Sequence, residues 1–239
     1  MLKSSQKDLE KRGFASAEDI AALKDYQPSE LITLLCSDHA VIRTAAAYNL
    51  FSTNESAANQ LLERLSVEKC LYTKMAICET LAKGDIDTAR KMTHYLGKIG
   101  NNQHKTLPEK ISAKKSYPLP RDIIARSLGK MDTMILPALL EVLKSDEAAQ
   151  ISEALDAIGL MTFYHPELAS KRYAQAVYDV LHEFESSTLI VWKSIICLSA
   201  FPLPQSMSIL NSFASQNNLL GAEANRSLRL ISAGRQANI

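Results

Sequence analysis

Apolar residues recur along this chain at spacings of three and four, the rhythm of helices that each bury one stripe. Within that rhythm one pattern repeats. A basic residue is followed by an apolar residue three on, a small one four on and Leu seven on. It reads Arg43-Ala46-Ala47-Leu50, then Lys74-Ile77-Cys78-Leu81, then Arg121-Ile124-Ala125-Leu128. The first two copies start about 31 residues apart and the third about 47 further on, one period plus an insertion. Lys193-Ile196-Cys197-Ala200 is a degraded fourth copy. Self-similarity at such a period predicts an α-solenoid, in which each unit buries its face only against its neighbours. The small fourth residue lets stacked backbones approach, and Leu fills the gap one turn later. Arg43, Ala47, Leu50, Lys74, Cys78, Leu81, Ala125 and Leu128 are therefore read as packing residues, the basic heads reaching either the carbonyls of the preceding helix end or solvent.

The punctuation predicts the elements. Residues 1–26 read as a polar cap, with a helix near 4–12 and another opened by Ser16, whose hydroxyl suits an N-cap ahead of Glu18 and Asp19. Pro28 starts the next helix, Ser37-Asp38 caps the one after, and Asn54 or Ser56 opens the third. Gly84 suits a left-handed C-cap. Asp85 opens a helix running to Gly100. Helix resumes at Arg121 and continues in pairs: 133–144 with 147–161, 166–185 with 187–200, and 204–215 with 219–232. This gives about six helix pairs after the cap in one domain of 1–239, with 233–239 as a tail. Trp192, beside Leu189 and Val191, is expected in the core.

Residues 101–120 break the rhythm. Pro108, Pro118 and Pro120 punctuate a stretch without periodicity, and long connections of this kind are often functional. His104, Lys105, Lys110, Lys114, Lys115 and Arg121 fall within about 18 residues, opposed only by Glu109. Such a segment could be a solvated excursion, could order on an acidic protein surface, or could track phosphates while Tyr117 stacks on a base. Lys105, Lys110, Lys114, Lys115, Tyr117 and Arg121 are the candidate partner-binding residues.

Composition narrows the chemistry. Of 239 residues, 46% are apolar and only 6% aromatic, with eight Gly and eight Pro, which favours helices on short connections. A net charge of +1 excludes polyanion binding by bulk electrostatics, so nucleic acid is an unlikely partner unless charge is segregated onto one face. Cys36, Cys70, Cys78 and Cys197 lie in or beside apolar runs without metal or redox spacing, and are read as buried reduced thiols. The first residues lack the apolar stretch of a signal peptide, and no run nears the ~18 apolar residues of a membrane span, so a soluble cytoplasmic protein is expected. No nucleophile elbow, P-loop, dinucleotide glycine pattern or zinc motif occurs, and the five histidines are scattered; no catalytic residue, metal or cofactor is assigned. The acids Glu141, Asp146, Glu147, Glu153 and Asp156 read as a solvated helix edge. A deep pocket lined by acids with shifted titration would argue against a bare scaffold.

The runs Leu34-Leu35-Cys36-Ser37-Asp38-His39-Ala40-Val41-Ile42-Arg43 and Leu140-Glu141-Val142-Leu143-Lys144-Ser145-Asp146 resemble HEAT repeats. The endings Ala125-Arg126-Ser127-Leu128-Gly129 and Ala154-Leu155-Asp156-Ala157-Ile158-Gly159 are similar to the Ala-Leu-Gly close of the bacterial HEAT-like type. The likeness covers roughly 28–232, with departures at the inserted loop, the missing Gly of the first two copies and the last pair. It implies a right-handed superhelix with the second helix of each pair on the concave face. It also implies a protein-binding scaffold or adaptor; a few relatives act instead on DNA bases as glycosylases or help attach bilins.

Overall fold

The computed structural model describes residues 5–50 and 55–233 and is all-helical there. Two short helices, α1 (Gln6–Lys11) and α2 (Ala17–Ala21), precede α3 (Pro28–Leu34), α4 (Ala40–Asn49), α5 (Glu55–Val67), α6 (Leu71–Leu81), α7 (Ile86–Thr93) and α8 (Ile123–Leu128). The second half comprises α9 (Leu136–Val142), α10 (Ala148–Tyr164), α11 (Lys171–Glu183), α12 (Thr188–Leu198), α13 (Pro204–Ala214) and α14 (Leu219–Ser232). Short 3-10 turns at Thr133–Ile135 and Pro166–Leu168 lead into α9 and α11. The helix openings expected at Asn54 or Ser56, and the tail beyond residue 233, lie outside the residues whose side chains are described.

Local chemistry sets the boundaries. Ser5 and Ser16 each form a capping box, with Asp8 and Asp19 returning to the cap amide. Asp85 and Asp122 cap α7 and α8 through the amides of Thr88 and Ala125. Two expectations fail here. Ser37 and Asp38 do not cap α4: the N-cap position falls on His39, without a side-chain cap bond, and the Ser37 hydroxyl accepts from the His39 amide. Gly84 is not left-handed; Gly97 and Gly100 are, with φ of 74° and 80°, and they turn the chain out of the short helix α7 into residues 101–120.

Each helix from α3 onward packs on its pair partner, α3 on α4 through α13 on α14. The second helices also contact one another in sequence, α4–α6–α8–α10–α12–α14, and α3, α5, α7 and α9 form a parallel row of contacts. Small residues make the second row possible: Ala46, Ala47, Ala76, Ala125, Ala154 and Ala157 are all fully buried. Polar rungs cross the same seam. Thr44 meets Thr73 at 2.8 Å, the Thr80 hydroxyl donates to the Ala47 carbonyl at 2.7 Å, and Ser227 donates to the Ile195 carbonyl at 3.1 Å. Helices α1 and α2 pack against α4 at the N-terminal end.

Leu50, Leu81 and Leu128 are buried, Cys78 is half-buried, and the basic heads diverge. Arg43 is buried and bonds Glu68 twice, at 2.8 and 2.9 Å, while also donating to the Ser37 and Asp38 carbonyls. Lys74 is half-buried and Arg121 exposed. The cysteines depart from a uniform core role. Cys197 is buried, but Cys70 and Cys78 are half-buried and Cys36 is exposed in the turn after α3; all four thiols are free.

Candidate ligand-binding cleft under the basic loop

Residues 101–120 have no regular structure, so their polar groups must be satisfied by side chains or water. Side chains of the helices supply the anchors. Gln103 donates to the Ile99 carbonyl at 2.7 Å and to the Asp122 carboxylate at 2.8 Å. The Arg126 guanidinium donates twice to the Pro120 carbonyl, at 2.9 and 2.7 Å. Arg226, from α14 at the far end of the chain, donates to the carbonyls of Lys114 at 3.1 Å and Ser116 at 2.8 Å. The loop is thereby tied to α8 and α14.

Aromatic contacts complete the attachment. His104 sits edge-on to Trp192 with ring centroids 5.0 Å apart. Tyr117 packs on Phe163 at 5.6 Å and is only 3% exposed. The sequence reading placed Tyr117 outward, free to stack on a partner. Its ring instead fills the space left by Gly159, where a side chain would overlap it.

Between loop and helices lies a cavity of about 300 Å³. Asp156, Trp192, Ile196 and Glu223 form its helical wall; Lys110, Lys114, Arg121 and His104 belong to the wall contributed by the loop and its end. Of the candidate cations, Lys110, Lys114 and Arg121 thus converge on one space, whereas Lys105 and Lys115 are exposed and do not line it. None of these five has an ion-pair partner among the described residues.

Behind the helical wall sits a buried charge cluster. Lys193, 1% exposed, places its ammonium 3.4 and 3.5 Å from the two Glu153 oxygens and in contact with Oδ2 of Asp156. Trp192 donates its indole N–H to Glu223 at 3.1 Å, and Arg226 reaches the other Glu223 oxygen at 3.0 Å. Glu153 and Asp156 are therefore not a solvated edge. Both lie within the buried run Ile151–Phe163 of α10, while Glu141, Asp146 and Glu147 are exposed as expected. The signal was available: Glu153 and Asp156 are the only charges in an otherwise apolar helical run, and Lys193 the only one in the equally buried run Ile190–Leu198.

Electrostatics follows from this burial. Desolvation pushes Glu153 up to about 7, helped by the charges of Asp156 and Asp122 and opposed by Lys193. Burial likewise raises Asp156 against the pull of Lys193. Burial disfavours the charged Lys193, but Asp156 and Glu153 outweigh it and hold the ammonium above its ordinary range. His104 is lowered to about 4 by burial and by the nearby charges of Arg121 and Lys193, so its imidazole is neutral at pH 7. Among the described residues no group of three or more His, Cys, Asp and Glu is arranged to hold a metal ion, and no helix is long and apolar enough to cross a membrane.

No protein-family model matches the chain, and no curated protein matches it. Among solved structures, the crystal structure of an engineered protein is similar at 16% identity and a TM-score of 0.37, covering 87% of this chain and 99% of that one.

Proposed function

We propose that the chain is a HEAT-like α-solenoid, a superhelical stack of helix pairs, that serves as a non-enzymatic adaptor and binds an acidic protein partner across the basic loop and the concave row of second helices. The uninterrupted succession of contacts from α4 to α14 supports the stacked architecture. One observation carries the binding reading. The loop is held by Arg126 and Arg226 on its carbonyls and by its own Gln103 on Asp122, so its lysines are left over for something else. Among the described residues Lys105, Lys110, Lys114, Lys115 and Arg121 have no ion-pair partner, on a segment whose ordering cost has already been met within the fold. A preordered cationic strip favours an acidic surface and gains on-rate from it.

The test uses the two cations that do not line the cavity. Fluorescence anisotropy of a labelled oligoglutamate peptide is compared for the wild type and K105E/K115E, with a DNA duplex as the second probe. The adaptor reading expects peptide binding that weakens by about tenfold in the double variant and declines with salt. Equal binding by both proteins overturns it, and duplex binding tighter than peptide binding replaces the protein partner with nucleic acid.

A further inference from the structure

A bare scaffold has no use for the charge cluster under the loop. Burying an ammonium and two carboxylates costs more than packing apolar side chains of the same volume, so such clusters are poor sources of stability. Here Asp156 of the cluster lines the cleft, and the opposite wall presents cations.

The helical wall presents two carboxylates, Asp156 and Glu223. Glu223 is satisfied by Arg226 and Trp192, but Glu153 and Asp156 share the single ammonium of Lys193. Lys193 Nζ is the one protein donor on Asp156 among the described residues, and it occupies Oδ2, so Oδ1 of this cavity-lining residue has no donor among them. The opposite wall is cationic, because Lys110, Lys114 and Arg121 line the same space without ion-pair partners among the described residues.

We infer that this cavity binds a small molecule carrying an anionic group at one end and an amino group at the other, the anion held by Lys110, Lys114 and Arg121 and the amine donating to Asp156. A bare anion would meet the Asp156 carboxylate, and a bare amine would meet the three cations. Only a molecule with both ends satisfies both walls. A volume of about 300 Å³ admits a metabolite-sized ligand and excludes a peptide helix. Two sources share this chemistry: an aminated mononucleotide and an amino acid. The inference goes beyond the adaptor reading: it shares Lys110, Lys114 and Arg121 with it, adds Asp156, and leaves out Lys105 and Lys115.

Isothermal calorimetry on the full chain separates the possibilities with two matched pairs. Adenosine monophosphate is compared with inosine monophosphate, whose carbonyl replaces the amine, and 6-aminohexanoate with hexanoate. At least one amino compound is expected to bind about tenfold or more tightly than its partner, the worth of a hydrogen bond to a charged group. Response in the first pair identifies a nucleotide, in the second an amino acid. The exposed double variant K110Q/R121Q should lose about tenfold in affinity with an unchanged Tm. Equal binding within both pairs, or no heat from any of the four, overturns the inference. So does binding that survives intact in K110Q/R121Q. Because K105E/K115E leaves the cavity untouched, failure of the adaptor reading and failure of this one give different results.

Discussion

The hydroxyl of Tyr117 rests against the backbone of Gly159, in space that any side chain at position 159 would need. One residue belongs to the irregular loop and the other to the middle of α10, so this contact ties the inserted segment to the helical core. Gly in a helix interior costs about 1 kcal/mol relative to Ala. The fold keeps Gly here to seat the ring. Gly159→Ala is therefore expected to destabilise by about 2 kcal/mol through overpacking, measured by denaturant unfolding. In a Tyr117→Ala background the same change should become neutral or stabilising, because the ring is gone and only helix propensity remains. Additive losses in the double variant would refute the coupling.

Tyr117 also bears a cost that its neighbours do not remove. Its hydroxyl is buried without a hydrogen-bond partner among the described residues, and burial raises it well above the ordinary phenol range. Tyr117→Phe keeps the ring packing and deletes the unsatisfied group, so Tm should rise, corresponding to about 1 kcal/mol. A fall in Tm on this change would show that the hydroxyl has a partner that the protein alone does not supply.

The buried salt bridge at the N-terminal end makes a pH prediction of definite sign. Burial alone would raise Glu68; hydrogen bonds from Arg43, the Cys70 amide and Arg64 overcome it and bring Glu68 down to about 2. A carboxylate depressed by folding contributes stability that is full above its ordinary value near 4.5 and is lost as pH falls through the folded value. The stability gap between wild type and Glu68→Gln should be constant above about pH 5 and close between there and about pH 2. Removing the cation instead, with Arg43→Ala, should cost about 3 kcal/mol at pH 7, since a buried carboxylate loses its bidentate partner.

Helix positions were largely legible because they depend on local chemistry. Ser16, Asp85, Pro204 and the apolar spacing each act within a turn or two of themselves, and the elements they predict are present. The core role of Trp192 and the carbonyl contacts of Arg43 were legible for the same reason. The path of the loop was not. It is fixed by Arg226, more than a hundred positions away, and by a glycine whose meaning depends on what lies above it. Tyr117 carried the letters of a surface aromatic, and only the shape of α10 turns it inward. The burial of Glu153, Asp156 and Lys193 was legible, as lone charges in apolar runs, but their pairing was not, because it depends on how α10 and α12 meet.

Glu153 should titrate with the opposite sign to Glu68. Its folded value near 7 lies above the ordinary carboxyl value of 4.5, chiefly through burial. Between those two values the unfolded chain has released the proton that the folded chain keeps, so stability falls as pH rises through the window and levels off above it. Gln at this position has no proton to release. The stability of the wild type relative to Glu153→Gln should therefore decline from about pH 4.5 to about pH 7. A difference that is flat with pH would show that Glu153 is ionised throughout, with Asp156 or Lys193 absorbing the charge of the cluster.

The reach of Arg226 gives a prediction that depends on dynamics rather than global stability. Its guanidinium binds Glu223 within α14 and the Lys114 and Ser116 carbonyls in the loop, so one side chain holds the loop shut over the cavity from the last helix. Trypsin needs several residues of extended, detached backbone to cut, and the exposed lysines of the loop offer targets only when it lifts. Arg226→Met preserves most of the stem's packing and removes the three bonds. Cleavage at Lys110, Lys114 or Lys115 should accelerate by about tenfold, the loss of one charged hydrogen bond's worth of local closure, while far-UV circular dichroism is unchanged. Equal cleavage of the two proteins would mean that Tyr117, Gln103 and Arg126 hold the loop without help from α14. In that case the Tyr117→Ala variant should show the acceleration instead.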